Sequence, residues 1–240
     1  MFTMRLGVNI DHIATLRSQR DTPYPDPVDA VPIVELAGAD GITCHIRIDR
    51  RHITERDVRL IREITKTSLN VELCTDPDIV RFVSSVKPHY ACLVPEREGE
   101  QTTEGGLDIL THREEIKKTI GVLKDAGIQV TLFIEPDESI METAKQFGAD
   151  AVELNTKAYS ETSDKRREME RLKRASIAAH EVGLEVHAGH SLGYHNVKGI
   201  LSVPHIVELN IGHSIISRAV FTGLEEAVKT MLELMKGDIL

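Results

Sequence analysis

Short apolar runs alternate with longer amphipathic segments along the chain, and this alternation limits the possible folds more than any other feature. Short apolar runs are typical of buried strands, whereas apolar residues at helical spacing indicate helices packed on one face. Strands that alternate with helices form βαβ units, in which successive strands lie parallel in one sheet. The sequence therefore predicts an α/β fold built on a parallel sheet.

Eight runs are predicted to form strands, at residues 6–10, 41–46, 69–73, 89–94, 128–134, 151–155, 184–188 and 207–211. Helical patterns cover residues 27–38, 54–66, 76–86, 112–126, 137–147, 164–182, 194–202 and 214–236, the last with a break at Gly223. Eight units in 240 residues leave about 30 residues for each, which is the size of a βα repeat. We predict a closed (β/α)8 TIM barrel that forms one domain over residues 1–240. A doubly wound open sheet is the alternative, but it would need fewer strands.

The net charge of −9 argues against a general nucleic-acid or anionic-membrane surface, so we expect neither partner. The cysteines at positions 44, 74 and 92 lie in apolar runs without a CxxC pair, which predicts buried thiols in a reducing compartment. No apolar run reaches the roughly 20 residues that span a bilayer, and the N-terminal sequence lacks the features of a signal peptide. We therefore expect a cytoplasmic protein.

The carboxyl ends of the predicted strands are rich in polar side chains, and in a barrel of this kind those ends carry the chemistry. The residues collected there are Asn9, Asp11, His12, His45, Arg47, His52, Glu72, Glu135, Glu153, Asn155, His187, His190, Glu208 and Asn210. Because strand side chains alternate, positions 9 and 11, 45 and 47, 153 and 155, and 208 and 210 each share a face. We expect these side chains to meet at one mouth of the barrel.

His45, His190 and Glu72 are the candidate acids and bases. Histidine titrates nearest to neutral pH and therefore suits proton transfer. Glu72 lies within an apolar strand, where a carboxylate is costly to bury unless it is paired or functional. A structural ion pair with an arginine is the alternative for Glu72, and a hydrogen-bonded structural role is the alternative for each histidine.

Two Gly-His-Ser turns, at residues 189–191 and 212–214, are predicted to bind anions after strands seven and eight. Glycine lets a ligand approach the backbone closely, and a helix that begins after the turn directs N–H groups at the ligand. Arg20, Arg47 and His52 are predicted to hold a second anion, since the planar arginine fork can bind two oxygens of a phosphate.

Two segments, residues 14–26 and 95–111, exceed normal loop length. Both follow predicted strands, so on a barrel they would lie over the active-site face. We expect them to act as lids.

A divalent metal site is the sharper alternative to acid–base chemistry at these strand ends. His45, Glu72, His187 and His190 offer the nitrogen and oxygen donors that such ions prefer. Metal-dependent barrel hydrolases carry His-x-His on strand one, where this chain has Asn9-Ile10-Asp11, so we predict no metal.

No lysine lies within a predicted strand, and Lys157, just past strand six, has polar neighbours. A Schiff base on an enzyme lysine needs a desolvated amine. If a carbonyl–amine condensation occurs, we therefore expect a substrate to supply the amine.

Several stretches of the chain resemble the pyridoxine 5′-phosphate synthase family, the ring-closing enzymes of one vitamin B6 pathway. They extend from the first predicted strand to the last, so the resemblance covers nearly the whole chain. The stretches are Gly7-Val8-Asn9-Ile10-Asp11-His12-Ile13-Ala14-Thr15-Leu16-Arg17, Ala39-Asp40-Gly41-Ile42-Thr43, Asp49-Arg50-Arg51-His52-Ile53-Thr54, Cys92-Leu93-Val94-Pro95-Glu96, Thr102-Thr103-Glu104-Gly105-Gly106-Leu107-Asp108, Ala188-Gly189-His190, Tyr194-His195-Asn196-Val197 and Glu208-Leu209-Asn210-Ile211-Gly212-His213.

The resemblance implies a transferase that condenses 3-amino-2-oxopropyl phosphate with 1-deoxy-D-xylulose 5-phosphate. The products would be pyridoxine 5′-phosphate, inorganic phosphate and water. It also implies a TIM barrel with additional helices, no metal and no organic cofactor. A homo-octamer built from dimers, with the arginine loop near the dimer contact, is implied as well.

The resemblance further implies a role for each residue that matches a family motif. His45 and Glu72 look like general bases, His190 like the general acid, and Glu153 like a stabiliser of charged intermediates. The residues implied to hold the aminoketone phosphate are Asn9, Arg20, Ser191, Gly212 and His213. Those implied to hold the sugar phosphate are Asp11, His12, Arg47, His52 and Thr102.

Ser191 departs from the family pattern, in which a glycine more usually follows the histidine of this turn. A serine N–H can still donate to a phosphate, although its side chain can crowd the site or add a hydroxyl contact. Three other functions stay open from the sequence: a phosphate-binding isomerase with one substrate, a metal-dependent hydrolase, and a regulatory barrel that binds a phosphate metabolite without turnover.

Overall fold

The computed structural model describes residues 4–96 and 105–236. Eight strands in these residues pair in sequence order, each parallel to the next, and the last pairs with the first to close the barrel. They are β1 (Arg5–Asn9), β2 (Gly41–His45), β3 (Ser68–Leu73), β4 (Tyr90–Leu93), β5 (Gln129–Ile134), β6 (Ala151–Asn155), β7 (Glu185–Gly189) and β8 (Ile206–Ile211). The closed TIM barrel predicted from the sequence is confirmed, and the open sheet is wrong.

Helices connect the strands and cover the outside of the barrel. They are α1 (Asp11–Ser18), α2 (Pro27–Leu36), α3 (Glu55–Ile64), α4 (Pro77–Val86), α5 (Arg113–Asp125), α6 (Met141–Gln146), α7 (Lys157–Glu161), α8 (Lys165–Glu181), α9 (Val197–Ile200), α10 (His213–Thr222) and α11 (Leu224–Met235). After β1, β6 and β8 the chain forms two helices rather than one, so α1, α7 and α10 are additional to the plain barrel. None of the helices in the described residues is long and apolar enough to cross a membrane.

The strand side chains that face outward are apolar and form one core with the helices. Leu6 and Val8 of β1, for example, are fully buried in this core. In most TIM barrels the interior also holds bulky branched side chains. Here the inward face is largely polar, and its apolar part is a small separate cluster of Cys92, Val94 and Phe133. Such an interior has to be stabilised by hydrogen bonds and ion pairs between the strands.

The long loop predicted at residues 14–26 is wrong in its first part, because α1 covers Asp11–Ser18. The N-cap of this helix is Ile10, whose side chain cannot cap it, so the usual start signal is missing. The available signal was Asp11 in the first turn and Arg17 in the last turn, which complement the helix dipole. Asp11 therefore begins a helix rather than extending β1. The short helix α7 was also not predicted.

The helix predicted at residues 194–202 is much shorter, since α9 covers only Val197–Ile200. The Asn196 side chain accepts a hydrogen bond from the Gly193 N–H at 2.7 Å and donates one to the Ser191 carbonyl at 3.0 Å. These bonds hold the chain in a turn. The first Gly-His-Ser turn therefore does not lead directly into a helix, contrary to the prediction.

Candidate active site

The carboxyl ends of β1, β2 and β3 bring two carboxylates and an imidazole together at the mouth of the barrel. Side-chain atoms of Asp11, His45 and Glu72 lie within 4.8 Å of one another. β1 ends shortly before Asp11, β2 ends at His45, and the strand register places His45 opposite Glu72. His45 Nδ1 lies 3.8 Å from an oxygen of Glu72. Parallel strands that end at one edge thus create the cluster, as the sequence predicted.

Hydrogen bonds fix the Asp11 carboxylate within this cluster. One oxygen accepts a bond from the backbone N–H of His45 at 2.8 Å, and the other accepts one from Nδ2 of Asn9 at 2.9 Å. The Asp11 N–H in turn donates to Oδ1 of Asn9 at 2.9 Å. Asp11 therefore orients the end of β2 and is itself oriented by Asn9.

Glu72 is a carboxyl group in an environment that disfavours its charge. Burial raises the pKa of Glu72 well above its usual value, and the charges of Asp11 and Glu153 raise it further. Its ion-pair partner among the described residues is His45, and not the arginine considered as an alternative. A carboxylate whose pKa is raised is a stronger base than an ordinary carboxylate, which suits it to accept a proton during catalysis.

Glu96, just after β4, was not among the predicted site residues. Its Oε1 lies 3.1 Å from His45 Nε2, and its Oε2 accepts a hydrogen bond from the Ile48 N–H at 3.0 Å. Burial acts to raise the pKa of Glu96, but the hydrogen bonds from His45 and Ile48 outweigh it and lower the pKa below its usual value. The sequence offered one indication of its importance, because Glu96 ends a stretch, residues 92–96, that resembles the family. No spacing of apolar or polar residues indicated that its side chain reaches β2.

Glu153 on β6, a further predicted site residue, lies inside the barrel in a separate set of hydrogen bonds. Its carboxylate accepts a 2.8 Å hydrogen bond from Nδ2 of Asn210, whose Oδ1 accepts a 3.0 Å bond from the Thr43 hydroxyl. Burial raises the pKa of Glu153 to about 7, although His187 and the Asn210 hydrogen bond oppose the shift. The interior thus also holds a carboxyl group, that of Glu153, that can change its charge near neutral pH.

The prediction that His187 and Glu208 lie at the carboxyl ends of the strands is wrong. Both belong to a set of ion pairs and hydrogen bonds nearer the amino ends of the strands. His187 Nε2 lies 2.8 Å from an oxygen of Glu185, the first residue of β7. Arg5, the first residue of β1, donates to Glu208 at 2.8 Å and also pairs with Glu185. His187 is thereby turned towards the amino ends of the strands and cannot share a metal with His45. The four-residue metal site considered from the sequence is not formed.

His12 on α1 and His213 at the start of α10 form a histidine pair. Their Nδ1 atoms lie 3.2 Å apart, and their rings meet edge to face. Burial lowers the pKa of His12, and a charge on His213 lowers it further. Gly212 is the N-cap of α10, so the first N–H groups of this helix are available beside the pair. The helix predicted to begin at the second Gly-His-Ser turn is confirmed.

The first Gly-His-Ser turn has a left-handed backbone at both His190, with φ of 76°, and Ser191, with φ of 59°. Glycine enters this region without steric cost, whereas other residues rarely do. The carbonyl of His190 accepts a hydrogen bond from the Thr156 hydroxyl, and its ring lies 6.0 Å from the Phe133 ring. Ser191 thus places a side chain where the backbone favours glycine.

His52 lies beside His45, with ring centroids 6.2 Å apart. Its Nδ1 accepts a 2.8 Å hydrogen bond from the Ile53 N–H, and burial lowers the pKa of His52. Arg17 binds both oxygens of the buried Asp57, at 3.0 and 2.6 Å, and donates to the His52 carbonyl at 2.8 Å. α1 is thereby tied to the segment that carries His52.

The sequence that builds this barrel and its mouth matches one family model along almost its whole length. The model is that of the pyridoxal phosphate biosynthesis protein PdxJ, and it matches residues 6–237. The chain belongs to the PdxJ family. The resemblance to pyridoxine 5′-phosphate synthases that the motifs indicated is confirmed, and PdxJ membership makes the chain an enzyme of vitamin B6 biosynthesis.

The barrel of this chain is also similar to solved structures of other enzymes. The tryptophan synthase A-subunit from Pyrococcus furiosus is 12% identical with a TM-score of 0.64, and 98% of each chain is covered. Thiamine phosphate pyrophosphorylase from Pyrococcus furiosus is 14% identical with a TM-score of 0.63, over 99% of this chain and 98% of that one. Phosphoribosyl anthranilate isomerase from Thermus thermophilus is 12% identical with a TM-score of 0.61, over 97% of this chain and 98% of that one. At these identities the likeness shows the fold alone.

Three further residues are implied by the PdxJ resemblance to bind phosphate. Arg47 is 3% exposed, and within the described residues its buried Nε has no hydrogen-bond acceptor, although an oxygen of Asp49 lies 3.5 Å away. Such a guanidinium has a donor left for an anionic ligand. Arg20 is exposed in the turn after α1. Thr102 lies outside the described residues.

Proposed function

We propose that this chain is a pyridoxine 5′-phosphate synthase. It condenses 3-amino-2-oxopropyl phosphate with 1-deoxy-D-xylulose 5-phosphate and releases pyridoxine 5′-phosphate, inorganic phosphate and water. PdxJ membership supports a role in this pathway. The observation that supports the reaction most is the cluster of Asp11, His45 and Glu72 at the barrel mouth, because a multi-step condensation needs several proton carriers at one place.

Acid and base roles follow from the surroundings of each group. His45 and Glu72 act as general bases, since they adjoin each other and the pKa of Glu72 is raised by burial. His190 acts as the general acid from the turn after β7. Glu153, with its pKa raised to about 7 by burial, stabilises charged intermediates by changing its own charge near neutral pH.

The amine of the aminoketone forms the imine with the sugar carbonyl. None of the eight strands contains a lysine, so no enzyme amine projects from the barrel wall. Lys157 begins α7, outside the strands, and remains partly exposed, whereas a Schiff-base lysine lies in a desolvated site. A substrate-borne amine therefore fits this interior.

Two anion sites hold the two phosphates. The aminoketone phosphate lies at Gly212 and His213, where α10 begins, with Asn9, Arg20 and Ser191 around it. The sugar phosphate lies with Asp11, His12, Arg47, His52 and Thr102. The 3.2 Å contact between His12 and His213 brings the two sets side by side, as a condensation of two phosphorylated substrates requires.

The enzyme works without a metal or organic cofactor and assembles as a homo-octamer, as the family resemblance implies. Asp11, His45 and Glu72 have ligand atoms within 4.8 Å of one another, close enough to hold a metal ion, so the independence from metal needs its own test. Light scattering of the purified protein tests the octamer. Turnover in the presence of a chelator tests the independence from metal.

Product analysis with purified protein and both substrates tests the proposal. With chelator present, pyridoxine 5′-phosphate is expected by mass spectrometry only when both substrates are supplied, together with released phosphate. An isomerase would instead convert one substrate alone, and a metal-dependent hydrolase would lose its activity with chelator. A regulatory barrel would bind a phosphate without any turnover.

A further inference from the structure

The carboxylate of Glu96 contacts the ring of His45, at the end of β2, and the backbone N–H of Ile48, in the segment that follows β2. Oε1 lies 3.1 Å from His45 Nε2, and Oε2 accepts the Ile48 N–H at 3.0 Å. The Glu96 side chain is only 5% exposed, so water competes little for these contacts. Neither the motif-based roles nor the proposed mechanism uses Glu96.

The two contacts together decide where the proton of His45 resides. The Ile48 N–H can only donate, so Oε2 must accept. An ionised carboxylate has no proton to give, so Oε1 also accepts, and the proton of a neutral His45 must then be on Nε2. Nδ1 is left with its lone pair, and it is this atom that lies 3.8 Å from Glu72.

We propose that Glu96 is the positioning residue of the active site, which holds His45 as the Nε2–H tautomer so that Nδ1 is the basic nitrogen facing the substrates. This assignment rests on the proposed function, in which His45 is a general base. Asp11 assists by accepting the His45 backbone N–H at 2.8 Å, so both the backbone and the ring of His45 are fixed. The same Glu96 carboxylate ties the segment that carries Arg47 to the end of β4.

Glu96→Gln is a sharp test because glutamine has the same shape but only one acceptor oxygen. That oxygen has to face the Ile48 N–H, which leaves the amide NH2 group facing His45 Nε2. Nε2 must then accept, and the ring proton moves to Nδ1. The variant therefore keeps the packing and reverses the tautomer, which removes the basic lone pair from the mouth of the barrel.

Solid-state ¹⁵N NMR of histidine-labelled protein reads the tautomer directly, with His45→Gln used to assign the His45 signals. At a pH where His45 is neutral, the wild type is expected to show a protonated Nε2, and Glu96→Gln a protonated Nδ1. Turnover of Glu96→Gln is expected to fall by at least about 100-fold, with KM changed by less than about threefold. Glu63→Gln, on the exposed face of α3, is the matched control and is expected to change neither reading.

A protonated Nδ1 in the wild type would overturn the proposal, and this result needs no variant to fold. An unreversed tautomer in Glu96→Gln, or a reversed one with wild-type turnover, would also overturn it. The NMR result does not depend on the substrates. If the wild type makes no pyridoxine 5′-phosphate, the proposed function fails. The tautomer of His45 measured by NMR still tests whether Glu96 positions its ring.

Discussion

An oxygen of the Glu153 carboxylate lies 2.1 Å from the point at which a Cβ atom on Gly189 would stand. Glycine at position 189 therefore gives Glu153 its space inside the barrel, whereas the sequence suggested that this glycine served the approach of a ligand. The neighbouring strand confines the carboxyl group, and the resulting burial raises the pKa of Glu153 to about 7. The stability of the protein should thus depend on the protonation of this one group.

Glu153→Gln is expected to flatten the dependence of stability on pH. Between the ordinary pKa of 4.5 and the folded value of about 7, the folded protein keeps a proton that the unfolded chain releases. The wild-type free energy of unfolding therefore decreases as pH rises through this window, by on the order of 1–3 kcal/mol from this group. Urea unfolding at pH 5, 6 and 7.5 measures the difference between variant and wild type.

If the free energy of unfolding changed equally with pH in Glu153→Gln and the wild type between pH 5 and 7.5, Glu153 would titrate at its ordinary pKa. Glu233→Gln, an exposed substitution on α11, is the control and should retain the wild-type slope.

Ser191→Gly is expected to stabilise the protein. Ser191 has φ of 59°, a conformation that costs a residue with a side chain about 1–2 kcal/mol. Glycine removes this strain, but it also gives the unfolded chain more conformational entropy, which offsets about half of the stabilisation. We expect a net gain of about 0.5–1 kcal/mol, or a Tm higher by about 1–3 °C. Ser191→Ala removes the hydroxyl but keeps the strained backbone, so it should bring no gain. A Tm for Ser191→Gly at or below that of Ser191→Ala would contradict the strain.

Gly106→Ala is expected to destabilise the protein. A Cβ atom there would stand 2.3 Å from the backbone nitrogen of Glu135 and 2.6 Å from the carbonyl carbon of Ile134. The Gly106 N–H would also leave Oε1 of Glu135, which it meets at 2.9 Å. We expect a loss of about 1–3 kcal/mol by chemical denaturation. Gly121→Ala in α5 is the control: its Cβ atom would meet no atom within 4 Å, and the substitution should stabilise the helix. A Gly106→Ala variant as stable as the wild type would disprove the close approach of Gly106 to Glu135.

The fold was predictable because independent signals agree along the chain. Outward-facing strand positions such as Leu6 and Val8 must pack against helices, so they are apolar at every second position. Gly38 and Gly148, both at positive φ, mark the ends of helices that precede β2 and β6. The spacing of apolar residues and the glycines at helix ends together predict the order of strands and helices, and this order predicts the barrel.

Depth inside the barrel was not predictable in the same way. The alternation of side chains along a strand predicts that His45 and His187 both face inward. It does not predict how far along the barrel axis each one lies. The stagger between strands decides that position. It places His45 at the mouth with Glu72 and turns His187 towards Glu185 at the amino ends.

Contacts made by segments beyond the strands were not predictable either. Glu96 follows the end of β4, and its reach to His45 depends on the path of the chain after Leu93. No period or cap governs that path, so the residue that orients His45 was missed. The pairing of His12 with His213 was missed for the same reason, since it requires the unpredicted helix α1.

Turnover of Glu72→Gln with both substrates tests the proposed proton transfer at the barrel mouth most sharply. We expect formation of pyridoxine 5′-phosphate to fall by at least about 100-fold, because the variant cannot accept a proton there. Binding of each phosphorylated substrate, measured by calorimetry, should stay within about threefold of wild type, because the substitution changes none of the residues that we propose to hold the two phosphates. Product formation at the wild-type rate would show that Glu72 transfers no proton in the reaction.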